Sequence, residues 1–377
     1  MSQLPSHMDK PSRFRAALPA IVSSAVAVIV ALIIGGVVIA LTGDDPFTAY
    51  KAMFDGAFVG KRQIAETLIA STPLIIGGLS FAIAARAGMF NIGIEGQLIM
   101  GALAAGLVGT YGFGPRPSGV VVAIVAGIAA GAVWGVIPGL LKGLSGAHEV
   151  ITTIMLNYLA LRVASYAVNS AADYLPVNPN LQATNPVLPA NELPNLLGGT
   201  RLHAGIILAV VAALFLWWLL FRSSYGYKVR TVGISPGAAA YGGISWKKTI
   251  IIAMAISGGL AGLIGVSETI GLQGRFYNVS PGYGYTSIAV GLVGRNNPIG
   301  VIAAGLLFGV LKAGATQMQN TAGVSKEIVQ VLQGLVILAV AASAYVAMAR
   351  EKRAAARRVT PTAPPPPAAA ATAGAES

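Results

Sequence analysis

Charged side chains interrupt otherwise apolar runs of this chain at Glu66, Glu95, Arg162 and Glu268. Three amides, Asn91, Gln97 and Asn157, stand in or beside the same runs. A charge inside a low-dielectric environment is costly, and it persists where it faces a partner, a bundle interior or a water-filled path. Carboxylates there can accept hydrogen bonds or take up a proton, and amides offer a donor and an acceptor together. Asn91, Glu95, Gln97, Asn157 and Glu268 are therefore the candidates for lining a solute path. The competing reading is structural, for example an ion pair between Arg162 and a carboxylate, and for Arg162 it is the preferred one.

Other chemistry is missing. With no cysteine there are no disulfides, zinc–thiolate sites, iron–sulfur clusters or thiol nucleophiles. The three histidines, His7, His148 and His203, fall near the edges of apolar runs and have no metal-ligand spacing. No mid-run histidine is placed to activate a serine, so an intramembrane hydrolase is disfavoured. Gly60-Lys61 is followed by Arg62 and lacks the upstream glycine of a phosphate-binding loop, so the chain has no nucleotide-hydrolysing motif. No metal or other cofactor is expected.

The elements that must carry these residues follow from composition. Of 377 residues, 55% are hydrophobic and only 10% charged, with a mean hydropathy of +0.72. Soluble domains carry about a quarter charged residues. A bilayer core is about 30 Å thick and takes about 20 apolar residues in a helix. Runs of that kind are 16–42, 64–85, 92–111, 119–141, 150–169, 205–221, 249–271, 277–293, 299–315 and 328–348. The sequence thus predicts an all-α, polytopic membrane bundle of about ten transmembrane helices over 16–348, with possible half-helices. The first run is too long for a signal peptide and reads as a retained helix. The eighth and ninth runs are short and split by Arg295-Asn296-Asn297-Pro298.

Basic residues set the expected orientation. The net charge is +12, and the Lys and Arg residues concentrate in the N-terminal segment 1–15, in 222–248 and after Met348. Both termini are then cytoplasmic, at the plasma membrane, and 171–200, which has no Lys or Arg, is external. Scattered among apolar spans, these residues do not read as a nucleic-acid surface. The Pro/Ala-rich tail 354–377 is expected to be disordered. Gly127, Gly131, Gly135 and Gly139 recur every four residues on one helical stripe, as close helix packing in lipid requires. Glycines at 88, 93 and 96, and again Gly291, Gly294 and Pro298, mark interrupted helices of the kind that line transport paths.

Three stretches carry a family resemblance: AARAGMFNIGIEGQL (84–98), GAHEVITTIMLNYL (146–159) and YGYTSIAVGLVGRNNPIGVIAAG (283–305). Together they resemble the permease subunits of ATP-binding-cassette importers in the branched-chain amino acid, simple-sugar and nucleoside group, and most of all its nucleoside and simple-sugar members. The resemblance covers roughly residues 16–348. It implies a second permease subunit, cytoplasmic ATP-binding subunits and an external substrate-binding protein as partners, with the chain itself not an enzyme. It also implies that YGYKVRTVGISPGAAAYGGI (225–244) holds the short helix that couples to the ATPase, with Gly226, Arg230, Gly233, Ser235, Pro236, Ala239 and Gly243 as the matching residues. The residues alone support a helix there, with Ser235 at the cap and Pro236 at the first helical position.

The leading expectation is therefore an importer permease for nucleosides or a simple sugar. The alternative is an ion-coupled secondary transporter in which Glu95 and Glu268 are the protonatable groups. A docking element at 222–248 argues against that alternative, because a secondary transporter needs none. An assembly protein is disfavoured by the buried polar set.

Overall fold

The computed structural model describes residues 13–111, 117–170, 175–325, 327–339 and 342. The expected tail, residues 1–12 of the N-terminal segment and the end of the last apolar run (343–348) lie outside these. The described chain is an all-α membrane bundle with one two-stranded ribbon. Six of its helices are long and apolar enough to cross a membrane, and four further apolar helices are shorter.

The first helices are α1 (Arg13–Leu41), α2 (Pro46–Phe58) and α3 (Lys61–Arg86). Asp45 starts α2 by accepting the backbone N–H groups of Phe47 and Thr48, with Pro46 at the first helical position. Next come α4 (Ile94–Gly109), α5 (Ser118–Leu140) and α6 (Glu149–Asn169). After a long loop follow α7 (Gly205–Arg222), α8 (Ser224–Ile234), α9 (Pro236–Tyr241) and α10 (Trp246–Val266). The last are α11 (Tyr283–Val293), α12 (Pro298–Ala322) and α13 (Glu327–Ala339). α5 and α10 run on as π-helical turns, Leu141–Ser145 and Ser267–Gln273, each closed by a left-handed glycine, Gly146 and Gly274.

α3 and α10 form the interior, with α4 beside α10, whereas α5, α6 and α7 leave most of their residues uncovered. Most of the uncovered side chains are apolar, including Val125, Val133, Met155, Leu214 and Trp218, which is what lipid-facing helices present. The glycine stripe explains the close contact between α5 and α10. A Cβ on Gly131 would lie 2.7 Å from the Cα of Gly262, and one on Gly258 would lie 3.0 Å from the Cα of Gly135. α5 and α10 therefore touch backbone to backbone.

The loop between α6 and α7 is folded onto the bundle. Val177–Asn178 pairs antiparallel with Ala183–Thr184. The loop is tied down by Val187 N–H to Gly274 O and Leu193 N–H to Ile270 O, both 2.8 Å. Asn191 Nδ2 donates to the Gly109 and Tyr111 carbonyls at 2.9 and 2.7 Å and so closes the open end of α4.

Candidate functional site

α4 and α11 are too short to cross a bilayer. Their 16 and 11 residues amount to roughly 24 and 16 Å at 1.5 Å per residue, against about 30 Å of hydrocarbon. The segment before α4 enters from the end of the bundle that carries α8 and α9, and the segment before α11 enters from the opposite end, where the loop lies. Their N-termini meet inside the molecule at Glu95, which is 1% exposed. Its Oε1 accepts Ser280 Oγ–H and the Gly282 N–H at 2.8 Å, and its Oε2 accepts the Gly284 N–H at 2.6 Å. One carboxylate thus caps α11 while standing in the first turn of α4. Both helix N-termini carry partial positive charge, so a buried anion is stabilised there.

Asn157 supports the same point from α6. Its Oδ1 accepts the Gly96 N–H at 2.8 Å and its Nδ2 donates to the Ile92 carbonyl at 3.0 Å. Gly96 is needed for this approach, since a Cβ there would sit 3.0 Å from Asn157 Cα. Tyr285 Oη lies 3.5 Å from Asn157 Nδ2, which joins α11 to the set.

Asn91 and Gln97 belong to a different cluster. Asn91 Nδ2 donates to Gln97 Oε1 at 3.0 Å and to Ser257 Oγ at 2.8 Å, and Ser257 and Ser80 each donate to the other's carbonyl at 2.7 Å. All four are fully buried and clamp the re-entrant turn between α3 and α10. Such a satisfied network specifies structure. Glu268, in the π-helical turn after α10, borders a separate space of about 30 Å³ with Leu98, Thr269 and Gln273.

The larger spaces lie on either side of the Glu95 junction. At the loop end, a cavity of about 600 Å³ is lined by Arg62, Gln63, Glu66, Arg201, Tyr283 and Lys312, among others. At its floor Lys312 Nζ stands 3.8 Å from the centre of the Tyr283 ring. At its rim Arg201 grips Glu66 with two hydrogen bonds, 3.1 and 2.8 Å, which hold the guanidinium pKa above its usual value. At the other end, a cavity of about 220 Å³ is lined by Phe81, Phe90, Glu149, Leu292 and Asn296, among others. α3 and α11 border both cavities. Between them Gly77 and Gly78 of α3 are packed tightly on Ser287 and Val290 of α11, so the two spaces are separate.

Arg162 is exposed on α6 and belongs to neither ion pair among the described residues, Lys142–Glu149 and Arg201–Glu66, so the expected pairing of Arg162 with a carboxylate is replaced by an outward-facing side chain. The sequence reading missed Lys312, Tyr283 and Ser280. The signal for Lys312 was present, because it is the one charge in the run 299–315.

The stretch 224–243 forms a compact corner. Ser223 Oγ caps α8 through the Gly226 N–H, and Ser235 Oγ caps α9 through the Ala238 N–H. Gly226 is pressed on the Leu219 carbonyl and Gly233 on the Arg86 carbonyl. Gly243 ends α9 in a left-handed conformation, φ 71°. Ala239 is fully buried in a cluster with Ala84, Met89, Val232, Ile250 and Met254, so it anchors the corner from within. The exposed surface consists of Pro236, Gly237, Ala238 and Ala240, with Ile234 and Tyr241 at 87% and 98% exposure. Arg230 turns inward over the Phe221 ring.

Comparison with known proteins finds relatives along most of the chain. The family model described as branched-chain amino acid transport system, permease component, matches residues 63–341. The guanosine ABC transporter permease protein NupP of Bacillus subtilis is 38% identical over 325 residues, covering 84% of this chain and 92% of the relative. The nucleoside ABC transporter permease protein NupB of Lactococcus lactis is 33% identical over 330 residues, covering 84% and 89%. A glucose ABC transporter permease protein of Haloferax volcanii is 33% identical over 322 residues, covering 82% and 84%.

Proposed function

The chain belongs to the family of branched-chain amino acid transport system permease components, and on that premise we propose that it forms the nucleoside path of an ATP-binding-cassette importer. The observation that carries the nucleoside assignment is the identity to two nucleoside permeases over more than four-fifths of the chain. A simple sugar is the second reading, favoured by the glucose permease of Haloferax volcanii.

In this reading the solute arrives from an external binding protein at the loop end and enters the cavity above Lys312 and Tyr283. It passes the Glu95 junction when α3 and α11 separate at Gly77 and Gly78, and leaves past Phe81 and Phe90. Asn157 and Glu95 hold the two half-helices during that movement, Glu268 stiffens the turn behind them, and Asn91 and Gln97 fix the re-entrant segment. We read ten apolar segments, two of them containing half-helices, with both termini on the cytoplasmic side, a reading supported by the distribution of Lys and Arg. ATP is hydrolysed by separate subunits that dock on α8 and α9, and a second permease subunit completes the path. The exposed Ile234 and Tyr241 supply the apolar contact that a docking surface needs.

Uptake of labelled guanosine by cells that contain the complete transporter tests the substrate. Unlabelled nucleosides should compete and glucose should not. Competition by glucose alone would replace the nucleoside reading with the sugar reading.

A further inference from the structure

The proposed path leaves unused a basic and aromatic cluster at the α8–α9 end. Arg86 ends α3, Phe221 lies one residue before the end of α7, and Arg230 lies on α8. The guanidinium carbons of Arg86 and Arg230 lie 5.8 and 5.6 Å from the centre of the same Phe221 ring. Backbone packing enforces this, because Gly233 of α8 presses directly on the Arg86 carbonyl.

One of the two cations is incompletely satisfied. Arg86 Nε donates to the Asn296 carbonyl at 2.9 Å. One terminal nitrogen of Arg230, Nη1, is buried and has no hydrogen-bond partner, and the same is true of Asn296 Oδ1. Neither arginine belongs to the ion pairs found among the described residues. The ring faces attract the guanidiniums without neutralising them. Two partly buried cations on one ring, with an unmet donor and no carboxylate, call for an anion.

The position says which anion. α3 and α7 end here, and α7 carries uncovered Leu214 and Trp218 toward lipid just before Phe221, itself 37% exposed. Arg222 stands over the Trp217 ring at 5.7 Å beside it. Aromatic rings and arginines at the end of a membrane helix lie at headgroup depth. The guanidinium fork matches two oxygens of a phosphodiester, and basic pockets between helices at that depth accept acidic headgroups.

We propose that Arg86 and Arg230, held over Phe221, bind the phosphodiester headgroup of an anionic phospholipid. In the proposed orientation this headgroup lies in the cytoplasmic leaflet, and the lipid site itself does not depend on that orientation. Because Arg230 lies on α8, the lipid would brace the root of the coupling corner.

Native mass spectrometry of the full-length chain, purified in detergent, tests this without any transport assay. The chain is incubated with phosphatidylglycerol, phosphatidylcholine or inorganic phosphate. Wild-type protein should retain phosphatidylglycerol over phosphatidylcholine by at least about fivefold. The Arg86→Gln/Arg230→Gln variant should lose that preference, and the exposed control Lys247→Gln should keep it. Should the double variant not assemble, Arg230→Gln alone serves, since Nη1 has no protein partner to lose. Equal retention of the two lipids by wild type, or an unchanged preference in the variants, would overturn the proposal. Abolition of the preference by millimolar inorganic phosphate would also overturn it, as it would reveal a free-anion site.

Discussion

Glu95 Oε2 accepts the backbone N–H of Gly284 at 2.6 Å, across a sequence separation of 189 residues. That bond joins the first turn of one half-helix to the first turn of another. Replacing Glu95 with Gln keeps the shape but leaves one acceptor oxygen where two face three donors. A charge-assisted hydrogen bond contributes about 1.5–3 kcal/mol, so the junction should loosen by that order. The Glu95→Gln variant should still insert, melt a few degrees lower and lose most uptake. Normal uptake with normal melting would leave the carboxylate without a role.

The absence of native cysteine allows clean single-site labelling. Asn178→Cys, on the loop ribbon, should react with a membrane-impermeant thiol reagent on intact cells. Tyr241→Cys should react only after the membrane is opened. The reverse pattern would invert the proposed orientation.

The glycine stripe separates packing from flexibility. Gly131→Ala places a methyl group against the α10 backbone, and overpacking of this kind costs about 1–3 kcal/mol. Gly237 has open space around its would-be Cβ and no left-handed φ, so Gly237→Ala should leave stability unchanged. Melting of the two variants in detergent checks the contrast, and equal melting points would mean that α5 and α10 are not in backbone contact.

Acid should weaken the loop end. His203 is 2% exposed, its Nδ1 accepts the Gly205 N–H, and burial pushes its pKa down to about 4 from 6.5. The unfolded chain therefore binds a proton that the folded chain refuses. The stabilisation is complete above pH 6.5 and is lost as pH falls toward about 4, by up to roughly 3 kcal/mol. Melting followed from pH 7.5 to 4.5 should show the loss, and His203→Gln should flatten it. Identical pH dependence in the variant would assign the effect elsewhere.

Much of the bundle was legible because a charge-free run of the right length has few other fates, and because Ser235-Pro236 is a local start signal; Asp45-Pro46 is a start signal of the same kind, yet the helix it opens, α2, falls between the apolar runs and was missed. The buried amides were legible as polar groups but not by role. Asn91 and Gln97 read like Asn157 in sequence, and only tertiary packing assigns the first two to a clamp and the third to the half-helix junction. Ala239 illustrates the same limit. A small residue in a docking helix reads as a contact knob, yet it faces Met254 and Ile250, because the helix has two sides and the sequence of six residues is too short to define which is outward. Lys312 escaped notice because its contact with Tyr283 joins helices distant in sequence.

The central claim is that energy enters through the outward face of α8 and α9 from a separate ATPase. The most direct measurement is guanosine uptake into proteoliposomes that contain the chain with its partner permease, ATP-binding subunits and binding protein, in wild-type form and with Ile234→Asp. Wild type should require ATP and the binding protein and be indifferent to proton and sodium ionophores. Ile234→Asp touches no buried contact, so the complex should be recovered intact or with weakened ATPase association, and both uptake and substrate-stimulated ATP hydrolysis should fall at least about tenfold, as loss of an interface anchor of 1.4 kcal/mol or more requires. Uptake by the permease without ATP, driven by an ion gradient and unaffected by Ile234→Asp, would contradict the account.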